Sequence, residues 1–423
     1  MERSSTTTAL GRLGHDQLAV LAREYLLAGH LIDRAGMPLV LGEGIDAMRA
    51  VAIEEWMGAS PIYTKRMQRL LGFDTDTVEA AMKGMQLDIG APPEFMDFRF
   101  TVHDDHHGEF HLDHCGALMD VEPMGEQYVV TMCHDIEDPT FDATAWATNP
   151  RMRMRPIHRP PREPADRHPH CAWTVTIDPD VEPAPTPVRS LLIGTTHAAN
   201  VPLAEPGEHS GDGFADYSRP LDADLAMEDF ASSTLRAILE EVALQGHLLV
   251  LSFASVVAEG DSGGVAEILA AQFAGVAGVV TDRLRRALDL GHDAAALAAV
   301  LDLLPVFRPR PYVDWRVELD GDEVVVELGE CAALEETVGR TWLATLADGD
   351  LRPIQAIASA VDPYWEVVAD GRRRWRIRRG DEPHRESREV GLVRFSTGAD
   401  FRFAGSAPEA ASAVNLSPRR RDR

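Results

Sequence analysis

Residues that could bind a metal ion are concentrated in one stretch of the chain. Nine of the 16 histidines and three of the four cysteines lie between His103 and Cys171. Four of them are each predicted at or beside the end of a strand, where antiparallel strands bring distant residues together: Cys115, Cys133, His158 and Cys171. Three thiolates and one imidazole form a common tetrahedral zinc set, and they would also suit iron. The alternative is that the cysteines are small buried hydrophobic residues and that the histidine lies at the surface.

Further residues around this set are candidates for proton transfer: His134, Asp135, Glu137, His111 and His114. Imidazole and carboxylate groups exchange protons near neutral pH and can orient a water molecule bound to a metal. His134 and Asp135 directly follow Cys133, so a metal ion at Cys133 would lie close to one of them. In this hypothesis His134 accepts a proton from the bound water and Asp135 fixes its tautomer.

The chain contains two copies of one unit. The triplet Gly29-His30-Leu31 recurs as Gly246-His247-Leu248, and at that constant offset the match continues without a gap for about eighty residues. After the loss of one residue in a hairpin, Cys115 aligns with Cys331. The second copy keeps only this cysteine from the first copy's set of cysteines and histidines. Those residues are therefore not needed for folding, which favours a functional role. His30 and His247 occur in both copies, which indicates a shared packing role.

Each copy reads as a layer of helices followed by an antiparallel sheet, which predicts an α+β fold with a pseudo-twofold arrangement. Apolar residues at helical spacing predict helices over 16–35, 45–57, 60–72 and 76–87, and another near 139–148. Alternating patterns predict strands in FMDFRFTV, GEFHLDH, QYVVTM, RMRMRPI and CAWTVTI. The motif GDSGG resembles the nucleophile motif of serine proteases, but its context predicts a loop that leads into a helix.

These patterns divide the chain into five parts. We expect an N-terminal tail over 1–15, a first repeat bearing the site over 16–178, and a Pro- and Gly-rich linker over 179–230 with one strand in RSLLIGTTH. A degenerate second repeat over 231–380 follows, and 381–423 forms an extension with a disordered tail. The pocket is expected in the first repeat, where its sheet faces the second.

Composition narrows the classes of partner. The 423-residue chain carries a net charge of −27, which repels nucleic acid and anionic lipid. No apolar run approaches the roughly 20 residues of a membrane span, so we expect no membrane-spanning helix. The N-terminus lacks the apolar core of a signal peptide, and four cysteines are too few for a disulfide scaffold. A cytoplasmic protein that acts on a small molecule is predicted, and the sequence does not indicate its oligomeric state.

The stretch from DHCGAL through MCHDIEDP to HCAWTVTI resembles a group of bacterial and archaeal proteins grouped by similarity to L-2-aminothiazoline-4-carboxylate hydrolase. The small-molecule-binding domain called 4-vinyl reductase looks similar in its order of elements. The resemblance covers mainly the first repeat and implies hydrolase chemistry. The sequence departs from the group where His158 stands in place of a cysteine ahead of Pro160 and Pro161, a swap that keeps a metal ligand.

Two functions follow from these residues. The first is a metal-dependent enzyme, with zinc as the metal, that hydrolyses a C–N or C–S bond of a small molecule. The alternative is a non-catalytic sensor or carrier that binds a small molecule and has a structural metal site. A redox protein that uses thiols alone is disfavoured because no two cysteines are close in sequence.

Overall fold

The computed structural model of the chain describes residues 8–93, 95–260, 264–396 and 398. It confirms the α+β class, with helices and two four-stranded antiparallel sheets. The first sheet contains β1 (Met96–Asp104), β2 (His107–Cys115), β3 (Met152–His158) and β4 (Cys171–Ile177). The second contains β5 (Trp315–Asp320), β6 (Glu323–Leu328), β7 (Trp365–Ala369) and β8 (Arg374–Arg379). The strand orders are β1-β2-β4-β3 and β5-β6-β8-β7, which is the order expected of a duplicated unit.

The helices recur in the same pattern around the two sheets. In the first half they are α1 (Ala9–Arg12), α2 (His15–Val40), α3 (Ile45–Leu70), α4 (Val78–Met85), α5 (Gly116–Val121), α6 (Glu126–Val130), α7 (Glu137–Thr148) and α8 (Val188–Ile193). In the second half they are α9 (Ser232–Gly260), α10 (Val265–Ala287), α11 (Ala294–Leu303), α12 (Trp342–Ala347), α13 (Arg352–Val361) and α14 (Arg388–Val393). The long pairs α2–α3 and α9–α10 form the helical layers. Of the GDSGG loop, residues 261–263 lie outside the described residues, as does the predicted disordered tail after residue 402.

Helix α3 joins two segments that the sequence predicted as separate helices. Pro61 lies inside it without ending it. Buried residues recur at intervals of three and four along the whole helix, among them Ala52, Glu55, Ala59 and Tyr63. One continuous face is therefore covered by neighbouring elements, and this packing outweighs the unfavourable effect of an internal proline.

Two predicted strands are wrong, since both segments are helical. QYVVTM lies in α6 and in the π-helical turn Thr131–Ile136 that follows it. Val129, Cys133 and Ile136 are buried there, a spacing of four and three residues that belongs to a helix. RSLLIGTTH contains the end of α8, in which Ser190 and Ile193 are buried.

Helix α8 has a counterpart that extends the duplication beyond its predicted limits. In the second half α14 closes the unit in the same way, after the last strand of its sheet. Gly58 and Gly275 occupy equivalent positions in α3 and α10, 217 residues apart. A Cβ atom would lie 2.5 Å from Arg189 at Gly58 and 2.7 Å from Val393 at Gly275. Both glycines thus permit the closing helix to approach the second long helix of its own unit.

The helical layers of the two repeats pack against each other. Helix α9 contacts both α2 and α3, and α10 contacts α2. One hydrophobic cluster includes residues from both helical layers and from the second sheet. The first sheet has a separate cluster of its own, centred on residues such as Phe98, Phe110 and Trp173. The first sheet therefore packs with short helices of its own repeat in a separate cluster, whereas the second sheet shares the cluster of the two helical layers.

Helices α9 and α10 are long and apolar enough to cross a membrane by length and composition, contrary to the expectation from the sequence. Their most apolar windows are 83% and 78% buried inside the protein. Core helices of soluble proteins have this property as well, so the two helices do not decide where the protein resides.

Candidate functional site

The first sheet separates the predicted metal ligands onto two faces. Cys171 pairs with Leu112, and both are buried on the face that the helices cover. His158 lies opposite Ala172, the next residue of β4, as does His111 from the other side. Residues that pair directly share a face, and successive residues of a strand alternate. His158 and His111 therefore lie on the outer face, away from Cys171.

The three cysteines come together on the inner face around Glu137. Cys115 ends β2, Cys133 comes from the π-helical turn, and each of the three thiols is electrostatically coupled to Glu137. Burial, with Glu137 adding to it, raises the pKa of Cys115 to about 12. The pKa values of Cys133 and Cys171 are raised by the same two causes. All three are protonated at neutral pH, and protonated thiols are poor nucleophiles.

Among the described residues, no three His, Cys, Asp or Glu side chains are placed so that they could hold a metal ion. Cys115, Cys133 and Cys171 thus lie on one face of the sheet, but neither they nor His158 are arranged as a metal site. Zinc or iron binding at this set stays a prediction.

Four of the predicted proton-transfer residues do not lie together: His134 and Asp135 have different partners, and His111 and His114 lie on the outer face of the sheet. His134 Nε2 lies 2.7 Å from the carbonyl oxygen of Pro160. Asp135 instead accepts a hydrogen bond from Arg49 at 3.1 Å, so it does not orient His134. On the outer face, His111 Nε2 lies 3.4 Å from Asp113 Oδ1. The His114 ring lies on the same face, with its centroid 5.8 Å from that of His170. None of these four candidates is among the residues that line the cavity described next.

A cavity of about 660 Å³ lies between the inner face of the first sheet and helices α2, α3 and α7. Its walls are mainly apolar, and half of the chain's 14 methionines contribute: Met37, Met48, Met85, Met96, Met119, Met124 and Met132. Met124 and Phe395, which are 50% and 88% exposed, also line it. The cavity therefore reaches the surface at these two side chains.

Glu137 is the only one of the five predicted proton-transfer residues that lines the cavity. It begins α7, directly after the π-helical turn. Burial raises the pKa of Glu137 to about 8, although the positive charge of Arg159 opposes this rise. Its Oε2 atom is buried without a hydrogen-bond partner among the described residues. Glu137 is thus largely protonated at neutral pH and able to donate a proton into the cavity.

A second polar region of the cavity lies on α2, and sequence reasoning missed it. Arg34 Nε lies 3.4 Å from Asp33 Oδ2, and Arg34 Nη1 lies 3.9 Å from Asp120 Oδ2. Asp120 also accepts a hydrogen bond from Ser396, which follows α14. His30 lines the cavity too, and burial together with Arg34 lowers its pKa to about 3.

The corresponding region of the second repeat is filled. At the constant offset the cavity residues of the first repeat are replaced by larger or apolar ones: Asp33 by Val250, Arg34 by Leu251, Ala52 by Leu269, Gly90 by Phe307 and Phe98 by Trp315. All five replacements are buried. Phe307 and Trp315 stack with ring centroids 3.9 Å apart. Among the described residues, a small space of about 40 Å³ lies there beside His247 and Phe273.

The alignment of the two repeats already contains this replacement of polar residues by apolar ones. An Asp-Arg pair inside a predicted buried helix face, replaced by Val-Leu in the other copy, is a signal of a polar site in the first copy. The candidates predicted from the sequence are instead histidines, cysteines and the acidic residues beside them.

No known family matches the chain, and no curated protein or solved structure does so either. The resemblance to the aminothiazoline carboxylate hydrolase group and to 4-vinyl reductase domains therefore stays a prediction.

Proposed function

We propose that the chain binds a largely apolar small molecule in the cavity of its first repeat. The observation that carries this proposal is the contrast at equivalent positions of the two repeats, with about 660 Å³ of space in the first and about 40 Å³ in the second. Interiors are normally close-packed, so a large space kept open at only one of two equivalent positions indicates a use.

The size and chemistry of the cavity support a small organic ligand. Pockets for such ligands usually measure about 300–1,000 Å³ and have apolar walls with a few placed polar groups. Methionine side chains are flexible and polarisable, and they adapt to ligands of irregular shape. Glu137 and the Arg34 region supply the polar groups here.

The metal-dependent hydrolase is the second candidate, with a C–N or C–S bond as its target. It is favoured by the coupling of three buried thiols to Glu137 next to the cavity. Cys115, Cys133 and Cys171 would be the ligands from this set, and Glu137 would be the group that transfers protons. In this hypothesis a metal ion would supply the activated water.

Binding can be tested with a library of apolar compounds by ligand-detected NMR and by the shift in melting temperature. The variant Ala52→Phe places an aromatic ring in the cavity and should abolish binding of compounds that the natural chain binds. Leu269→Phe changes the equivalent position of the filled repeat and should leave binding intact. If Ala52→Phe is folded and binds the same compounds equally well, the ligand site is not in this cavity.

A further inference from the structure

The charged groups of the cavity indicate which kind of ligand it takes. Within the described part of the chain, the carboxyl groups that line it are Asp33, Asp88, Asp120 and Glu137, against a single arginine, Arg34. Arg34 lies near Asp33 and Asp120, at the distances given above, so two carboxyl groups offset its charge, although its Nη1 atom has no hydrogen-bond partner among the described residues. An anionic ligand would therefore meet more carboxyl groups than positively charged groups.

Three of the four carboxyl groups have partners within the protein. Hydrogen bonds reach Asp33 from Trp56 at 3.2 Å, Asp88 from Tyr63 at 2.8 Å and Asp120 from Ser396 at 2.8 Å. Glu137 differs from them, because its Oε2 atom is buried and lacks a hydrogen-bond partner among the described residues. A buried polar atom without a partner is unfavourable, and a ligand that supplies one gains affinity.

The groups around Glu137 favour a cationic ligand as the hydrogen-bond donor to its Oε2 atom. The charges of Arg159 and Asp138 act on Glu137, and Glu137 acts in turn on the three thiols of the inner face. Arg159 itself forms an ion pair with Asp138, so its charge is shared. A thiol is only a weak hydrogen-bond donor. A bound ammonium ion would favour the ionised form of Glu137, and its N–H group would donate a hydrogen bond to the buried carboxylate oxygen. The rest of the ligand would lie beside methionine and aromatic walls that suit an apolar body.

We propose that the cavity binds an apolar molecule that carries a protonated amine, and that the amine N–H group donates a hydrogen bond to Glu137 Oε2. This inference rests on the proposed function, since it assigns the ligand class of the same cavity. The apolar part of the ligand would lie against the methionine wall, and the amine would point towards α7.

A series of probes with one alkyl chain and different head groups tests this directly. Octylamine, octanol, octanoate and trimethyloctylammonium are titrated into the protein at neutral pH by calorimetry. Octylamine should bind at least about tenfold more tightly than octanol, because a charge-assisted hydrogen bond is stronger than a neutral one. Octanoate should bind most weakly. Trimethyloctylammonium carries the charge without an N–H donor and should also bind more weakly than octylamine.

Two variants test whether Glu137 is the residue that causes the preference for octylamine. Glu137→Gln should remove the preference for octylamine over octanol and change the affinity for octanol by less than about threefold. Asp120→Asn is the matched control, since Asp120 lines the same cavity but already has Ser396 as a partner. It should keep the preference.

The outcomes separate this inference from the proposed function. Tighter binding of octanoate, equal binding of octylamine and octanol, or an unchanged preference in Glu137→Gln would each overturn the amine assignment while leaving a small-molecule cavity in place. Failure of every probe and every library compound to bind would overturn both. If Glu137→Gln does not fold, the comparison of octylamine with trimethyloctylammonium on the natural chain still decides the need for an N–H donor.

Discussion

Filling the cavity of the first repeat should stabilise the protein, whereas emptying the matching position of the second repeat should destabilise it. Ala52 in α3 lines the cavity and has a leucine, Leu269, at its equivalent position in α10. The two variants Ala52→Leu and Leu269→Ala exchange the residues of the two repeats. Both positions lie in the interior, with 1% and 0% of their surfaces exposed.

The expected magnitudes follow from the surroundings of each side chain. Ala52→Leu adds three carbon atoms next to existing space, and each buried methylene group contributes about 0.8 kcal/mol. The gain is therefore at most about 2 kcal/mol in the free energy of unfolding. Leu269→Ala removes the same atoms from a close-packed region, which costs about 2–5 kcal/mol. The same chemical change thus has opposite signs in the two repeats.

Urea denaturation followed by circular dichroism measures both effects as shifts of the midpoint at unchanged slope. The double variant provides the control, because the two positions belong to different repeats and their effects should add. If Ala52→Leu lowers the midpoint, as it would in a packed core, the space beside α3 is not available to a side chain. The argument for a ligand cavity would then be refuted as well.

Three further predictions concern buried ionisable groups. Burial raises the pKa of Asp88 to about 6, so its contribution to stability is complete below about pH 4 and falls by about 3 kcal/mol as the pH rises to 6. Asp88→Asn should remove this decline, as measured by urea denaturation between pH 4 and 7. Glu55 is fully buried without a hydrogen-bond partner among the described residues, and burial raises its pKa well above the usual value. Glu55→Gln, which copies Gln272 of the second repeat, should raise the melting temperature more at pH 8 than at pH 5. If the thiols bind zinc, Cys115→Ser should lower the metal content found by elemental analysis of untagged protein, whereas Cys331→Ser should not change it.

The repeat was predictable because the same types of residue recur in the same order in both copies. A constant offset over about eighty positions requires the same helices and strands in both copies, and the two sheets do have the same strand order. The errors lie where local preference and packing disagree. Tyr128, Val129 and Val130 favour strands individually, yet the burial of Val129 and Cys133 places them on one face of a helix.

The site was harder to predict because strand register decides which side chains meet. His158 follows an irregularity in the pairing of β3 with β4, after Pro156. A shift of one residue moves a side chain to the opposite face of a sheet, so the sequence alone could not place His158 with or against the cysteines. Glu137 is one of the candidates from the sequence and lines the cavity, and this position depends on the π-helical turn that precedes it. No pattern in the sequence indicated that turn.

The contrast between the repeats also explains why a second copy without polar site residues is useful to the first. An open cavity forfeits dispersion contacts, and buried groups such as Glu137 and Glu55 lower stability further. Helices α2 and α3 form one wall of this cavity, and their other sides pack against α9 and α10. The filled core of the second repeat holds these two helices from behind, so the wall cannot collapse into the space. We therefore interpret the second repeat as the rigid support of the first. On this interpretation, Leu269→Ala should weaken ligand binding only through the loss of global stability, and ligand at saturating concentration should restore much of the lost melting temperature.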